Sequence, residues 1–553
     1  MLNPPPLNPP FPSLLTALIA VLVLAAIVVV ARWSRSWTAY PSRVATLLSS
    51  TWAPVVAGIV TVLLVRIVWG SFHESGVVHD ERAYLLQAEI FAGGHWTAPS
   101  PPLAAFFEQM HVFIEPAVFA KYPPAHALTL VPGIWLGLPG LMPALMAGIA
   151  GALVFWLARR LANEWTALLT WWLWTTAWAT LLFSASYFSE TTSTAMWLIA
   201  VWATIRWLDA GRRADLLVVA AALAWGLATR PLTMAALALP VAFMIVRRVM
   251  ATRRWTTLAA PVVLGTAMLA LGPLWNQQTL GDWRLDPYPH YSRVYFPYDK
   301  PGFGADPAPP LRPIVPEMAA VGAWSRDLHA RYMLSSLPSA FAQRLIAILS
   351  WFAEGWRLAL GVLILAAALH PSGVERAGVA TIALLLLAYL TFAHDPGWII
   401  YYVEVLPILY FVAARELGRV VHVFSGLGSE VSVRWPASVA NASLAVALLL
   451  LPLGMNDVRR VRAASDVHNA FYRAARAAIA TLPPGKAIVF VRYPSQSLQS
   501  APLALTRNEP DLGSAQRWVV YDRGLRNTEL RALAPDRAAY RLDAATMRVE
   551  RLP

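Results

Sequence analysis

"IVWGSFHESGVVHDERAYLLQAEIFAGG" (residues 67–94) comes straight off an apolar run and then sets His79, Asp80 and Glu81 side by side. The run before it, 54–70, has the length needed to cross a bilayer. Two carboxylates and an imidazole therefore stand where a membrane helix ends. Tyr84, Leu85, Ala88 and Phe91 follow at helical spacing, and Gly93-Gly94 closes the stretch. This pattern predicts an amphipathic helix lying at the membrane surface, with Asp80 as its N-cap and Glu81 as a first-turn acid facing the helix dipole. Capping uses Asp80 alone and assigns no chemistry to its neighbours.

Composition places this boundary in a polytopic α-helical membrane protein. Of 553 residues, 58% are hydrophobic and only 14% charged, against roughly 45–50% and about 25% in soluble domains. About twelve spans are predicted, near 12–31, 54–70, 141–158, 164–183, 191–208, 215–229, 232–246, 257–275, 356–369, 377–393, 398–414 and 437–453. The formal net charge of +13 is no nucleic-acid signal. Its arginines (Arg32, Arg35 and Arg43; Arg159 and Arg160; Arg212 and Arg213; Arg247, Arg248, Arg253 and Arg254; Arg376, Arg415 and Arg419) gather in short loops, as cytoplasmic loops do. Alternation then puts both termini outside, in the periplasm if the membrane is the cytoplasmic one. There is no cysteine, which excludes disulfide and thiolate chemistry. The start "MLNPPPLNPPFP" has no basic n-region, and the run after it ends in "ARWSRSW", so it reads as a retained helix.

Two long segments, 71–140 and 276–355, fall on the outer side. Within the first, 126–138 is an apolar piece that either spans or re-enters. After Met455 the chain becomes charged. "KAIVFVRY" (486–493) and "RWVVYDRG" (517–524) read as short buried strands, and 538–552 reads as a hairpin. The expected organisation is a transmembrane domain, 1–455, and a small outward α/β domain, 456–553.

The outer segments carry further polar groups. "FEQMHVFIEPAVFAKYPPAHAL" (107–128) supplies Glu108, His111, Lys121, Tyr122 and His126. "SASYFSETTSTAM" (184–196) puts Glu190 at the outer end of a helix pair, and "GLATRPLTMA" (226–235) puts Arg230 in an outer hairpin. An arginine on that side breaks the positive-inside bias, so it needs a partner: a lipid phosphate, a phosphate substrate or an acidic side chain. Glu404 lies inside a predicted span, where ionisable residues mark function because isolated charge is costly. Arg230, His394 or Tyr401 are its candidate partners. Trp283, Tyr288, Tyr291 and Tyr295 either stack on sugar or form an interfacial belt. No spacing gives a metal site; a divalent cation at a phosphate is allowed.

These residues resemble the GT-C glycosyltransferases: an Asp-Glu pair after an early membrane helix, then a helix, then a "YPP" turn at 122–124. The nearest patterns are the dolichyl-phosphate-mannose protein mannosyltransferases and the lipid A aminoarabinose transferases. "GLATRP" is similar to the Lys-Gly-Pro hairpin of the latter, with Arg230 in place of the lysine, and Glu190 stands where they carry an aspartate. The arginine is not neutral at a phosphate site. A bacterial branch of the superfamily carries segments like "KYPPAHALTL", "WNQQTLGDWRLDPYPHY" and "YYVEVLPILYFVAARELG", so the resemblance covers most of the chain.

The resemblance implies transfer of a sugar from a polyprenyl-phosphate donor to a hydroxyl on a glycan, lipid or protein acceptor. One carboxylate then takes the acceptor's proton, with Asp80 the first candidate and Glu81 or Glu190 orienting or tuning it. Fixed cations hold the leaving phosphate, with Arg230, Lys121, His111 and Arg293 as candidates and Tyr122, His394 and Glu404 beside them. A transporter or flippase of lipid-linked glycans is the alternative, but transporters place polar groups at the midplane, often in repeated halves. A non-catalytic scaffold needs no convergence of Asp80, Glu190 and Arg230.

Overall fold

The computed structural model describes residues 13–33, 41–73, 76, 78–369, 371–424, 437–493 and 505–553. The N-terminal stretch 1–12 and Arg35 lie outside the described residues.

Helices stand at the predicted apolar runs, but not all are continuous spans. Among the described residues, five are long and apolar enough to cross a membrane: Leu14–Trp33, Leu141–Leu161, Pro231–Thr252, Trp255–Leu280 and Ala440–Ala480. Counting each of two bent pairs as one span gives up to seven. The expected twelve exceeds this because several runs are broken. Residues 164–183 form Glu164–Thr175 and Trp178–Ser184. Residues 398–414 begin as two short 3-10 turns before Leu406–Phe424. The piece at 126–138 lies in a helix of 12 residues, Pro124–Trp135, launched by Pro124 at its first position, too short to span.

Small residues set the closest helix contact. A Cβ on Gly58 would sit 2.8 Å from the Gly148 carbonyl, and one on Gly151 would sit 2.4 Å from the Thr61 hydroxyl. Helices Ala53–Trp69 and Leu141–Leu161 therefore approach through glycine faces, the mode that replaces hydrophobic driving force within lipid.

The opening stretch forms helix His79–Ala92. It is buried nearly all round, from Glu81 through Phe91, so the surface-lying amphipathic reading is corrected. Its cap is also corrected: Val78 is the N-cap, and Glu81 at the third helical position accepts from the Val78 N–H at 3.0 Å. The helix packs under a small antiparallel sheet of β1 (Ala98–Pro99), β2 (Val112–Phe113) and β3 (Ala117–Ala120), in order β1-β3-β2.

At the C-terminal end, β4 (Ala487–Arg492) pairs in parallel with β5 (Arg517–Tyr521) and β6 (Ala538–Asp543). β6 pairs antiparallel with β7 (Val549–Arg551), giving the order β5-β4-β6-β7. Phe490 and Trp518 from this sheet meet Phe106 and Phe107 of the first outer segment. Arg523 binds both Glu317 oxygens at 2.8 and 2.9 Å and the Ala105 carbonyl at 2.8 Å. The composition changes at Met455, but the backbone does not break there. Helix Ala437–Ala480 runs through it, about 66 Å at 1.5 Å per residue.

Candidate active site

Asp80 and Glu81 have separate fates. Both Glu81 oxygens serve backbone: Oε2 accepts from Val78 N and Oε1 from Tyr187 N, each at 3.0 Å. Glu81 is buried and ties the helix start to the turn before Glu190. Asp80, freed from capping, keeps 30% of its side chain exposed. Its Oδ1 accepts a hydrogen bond from Tyr122, and its Oδ2 lies 3.8 Å from His111 Nε2.

Lys121 stands beside this group. Its Nζ lies 4.4, 5.2 and 5.4 Å from the ring centres of Tyr288, Tyr291 and Tyr122. Ring faces attract an ammonium without neutralising it. Burial lowers the Lys121 pKa, while Asp299 and Asp80 act in the opposite sense. Burial also pushes the Tyr288 phenol well above its ordinary value, with Asp299, Asp80, Tyr84 and Tyr389 adding to the rise. Tyr288 therefore feels both groups of the site. His111 is held well below the usual histidine range by burial, then by Lys121 and His79.

The second group sits where helices begin: Glu190 opens Glu190–Ala210, and Arg230 N-caps Pro231–Thr252. Its Nη1 donates to Glu190 at 2.5 Å and to Ser189 at 3.2 Å, and its Nη2 to the Ile400 carbonyl at 3.0 Å. Its Nε lies 3.3 Å from Glu404, which also accepts from Ser193 at 2.6 Å. Thr233 and Tyr389 complete the shell. This is the acidic partner that the arginine's position required. The guanidinium is committed to protein acceptors.

Tyr84 connects the two groups. Its ring stacks on Tyr122 at 4.4 Å, and its hydroxyl donates to Ser189 at 3.1 Å, the serine that Arg230 also reaches. One chain of contacts thus runs Asp80, Tyr122, Tyr84, Ser189, Arg230, Glu190.

The other candidates lie apart. Arg293 is exposed and donates to the Pro309 carbonyl, so the structure does not bring it to the site. His394 is buried, with Nδ1 on the Asp395 carbonyl and Nε2 on the Tyr402 hydroxyl, and it packs on Tyr401 rather than pairing with Glu404. His126 is satisfied by Thr192 and the Tyr187 carbonyl. Tyr291 and Tyr295 are core residues, whereas Trp283 is exposed. Tyr84, Ser189, Ser193 and Tyr389 escaped sequence reasoning because serine and tyrosine near a membrane boundary are common. The one available signal was Tyr84's place one turn beyond Asp80.

No group of three or more His, Asp or Glu residues suited to a metal occurs among the described residues. Two large cavities occur in the molecule, and neither is lined by Asp80, Lys121, Glu190, Arg230 or Glu404. One of about 740 Å³ lies in the helix bundle, lined by Trp197, Leu239, Phe243, Leu384, Ile408 and Phe411 among others, with no charged side chain. A larger one, about 1110 Å³, is bordered by Arg82, Tyr472 and Arg507. Asp80 does not line it.

Comparison with known proteins agrees with this architecture. Residues 140–272 match the dolichyl-phosphate-mannose-protein mannosyltransferase family. The structure of ArnT from Cupriavidus metallidurans bound to undecaprenyl phosphate is similar, with a TM-score of 0.51 at 15% identity over 89% of this chain and 93% of that one. Weaker likenesses include the archaeal oligosaccharyltransferase AglB from Archaeoglobus fulgidus (TM-score 0.36, 13% identity, 78% and 59% covered). Another is the arabinofuranosyltransferase AftD from Mycobacteria (0.37, 15%, 85% and 32%). No curated protein matches the chain. The helical frame is therefore similar in fold to that ArnT structure.

Proposed function

We propose that this chain is a membrane glycosyltransferase that moves a sugar from a polyprenyl-phosphate donor to a hydroxyl acceptor at the outer face of the membrane. The observation that carries the reading is the pairing of a partly exposed Asp80, oriented by Tyr122, with a buried Lys121 whose neighbours are tyrosine rings. A carboxylate and an unneutralised cation are the two charges such a transfer needs.

The acceptor oxygen attacks the anomeric carbon as Asp80 takes its proton. The bond from that carbon to the phosphate oxygen breaks, and the electron pair leaves with the phosphate. Lys121, desolvated and fixed, stabilises the charge that grows there. Arg230 holds Glu190 and Glu404 in place, so these acids shape the acceptor side. The apolar cavity suits a hydrocarbon tail. Its lining residues Trp197 and Leu198 lie on the helix that begins at Glu190. ArnT, the solved structure of similar fold, holds undecaprenyl phosphate, which supports a donor of this class. The C-terminal sheet, clamped by Arg523 to both outer segments, braces the site from outside.

The test is transfer of a labelled sugar from a panel of polyprenyl-phosphate donors by membranes containing the protein. Transfer that depends on Asp80 supports the reading. Energy-independent flipping of the lipid-linked sugar without bond cleavage would support the transporter instead.

A further inference from the structure

A general base must pass its proton on, and the residue facing Asp80 is held there at a cost. His111 has φ = 66°, the left-handed region that residues with a Cβ rarely adopt. That conformation is strained for a residue with a Cβ, and glycine or asparagine would adopt it more easily. The backbone is fixed from both sides: the His111 N–H donates to the Tyr291 hydroxyl at 2.8 Å, and the His111 carbonyl accepts from Lys121 N at 2.9 Å. The result aims the ring at Asp80, with Nε2 3.8 Å from Oδ2. The ring leans on Tyr122 and Tyr291 at 5.6 and 6.1 Å, and its buried Nδ1 has no hydrogen-bond partner among the described residues. An observed backbone outlier at a reacting group argues for a use of the side chain.

We propose that His111 is the proton partner of Asp80, a positioning residue that acts through the carboxylate. This inference rests on the glycosyltransferase reading above. The acceptor's oxygen bonds to the anomeric carbon, and the phosphate leaves with the electron pair of the broken bond. The acceptor's proton goes to Asp80 and then to Nε2 of the neutral imidazole, with the other ring proton on Nδ1. Asp80 returns to a carboxylate facing an imidazolium, and solvent removes the proton at the end of the turnover. The separation of 3.8 Å closes to hydrogen-bond length by a shift of about 1 Å, as catalytic contacts do when substrate binds. Burial, then Lys121 and His79, disfavour a charged imidazole, so His111 is neutral at rest with Nε2 open, and it gives the proton up readily at the end of the turnover. A cation-forming phosphate ligand would need the opposite.

The test uses the full-length protein in membranes with the active donor. His111→Gly and His111→Asn both tolerate the left-handed backbone, so neither variant adds strain. Each should lower kcat about 10- to 100-fold, less than loss of the base itself, with the donor's KM within about twofold of wild type. Added imidazole should restore turnover in His111→Gly but not in Asp80→Asn. Wild-type kcat in both variants, or a loss that imidazole does not touch, would overturn the assignment while leaving Asp80 as base. An Asp80→Asn protein as active as wild type would remove Asp80 as base and this inference with it, whereas absence of sugar transfer by the wild-type protein from every donor would overturn the glycosyltransferase reading itself.

Discussion

Glu81 and Asp80 differ by one methylene and one position, and the backbone uses them oppositely. The part-buried N–H of Val78 and the buried N–H of Tyr187 both end on the Glu81 carboxylate. Glu81→Ala strands both, and it should destabilise the protein by about 1–3 kcal/mol, read as a lower thermal midpoint in detergent. Glu81→Gln keeps one acceptor and should lose less. Equal midpoints for Ala and wild type would show that these bonds do not matter. At Lys121 the expectation is kinetic. Lys121→Ala should weaken donor use at least 10-fold, measured as kcat/KM, and Lys121→Arg should recover little, because the ring enclosure fits an ammonium and not a planar fork. A Lys121→Ala protein with unchanged kcat/KM would place the phosphate elsewhere. The sequence made Asp80, Glu81, Lys121, Glu190 and Arg230 legible as types at a boundary. It reversed the capping roles of Asp80 and Glu81, because a cap depends on where the first helical turn begins, and composition does not fix that residue.

The outer segments act as elements through buried charge. Arg312, which follows helix Pro287–Tyr295, reaches Glu108 and Glu115 of the first outer segment, each at 2.6 Å. Burial pushes the Glu108 carboxyl up to about 7; Arg312 opposes this and does not offset it. The folded protein therefore binds a proton here that the unfolded chain, near 4.5, has released. Stability from this group is full below about pH 4.5 and is lost as pH rises through about 7. Unfolding midpoints between pH 5 and 7.5 should fall less steeply in Glu108→Gln than in wild type; identical slopes would remove Glu108 from the account. Helix boundaries show what patterning conveys at this scale. Glu190–Ala210 and Pro231–Thr252 were readable from apolar runs, with Pro231 marking a start. The breaks at 176–177 and 399–405 were not, because apolar residues continue across them and lipid gives no periodic signal.

Across the whole molecule, one end of the helix bundle gathers Arg230, Glu190 and Glu404, while Asp80, His111 and Lys121 come from the outer segment laid over it. Tyr84 joins the two sets. The membrane class was legible from hydropathy, as the long apolar helices show. Pairing of Glu404 with Arg230 was one of the alternatives the sequence left open; that Glu190 shares the same guanidinium was not legible, since the three residues are far apart in sequence. The continuous helix Ala437–Ala480 likewise crosses a change in composition that suggested a boundary. It is pinned on its way by Asp457, which pairs with Arg357 and accepts from Trp356 at 2.8 Å, and by Arg462 on the Ile67 carbonyl at 2.9 Å. The long helix and the C-terminal sheet are thereby tied to the chain before and after the partly exposed Asp80 carboxylate. The central claim is that this carboxylate removes the acceptor's proton. The most direct measurement is sugar transfer from polyprenyl-phosphate donors by membranes carrying wild-type or Asp80→Asn protein at matched expression. The account predicts transfer by the wild type and a loss of roughly 10²- to 10⁴-fold in the variant. Equal transfer by the two proteins would contradict it.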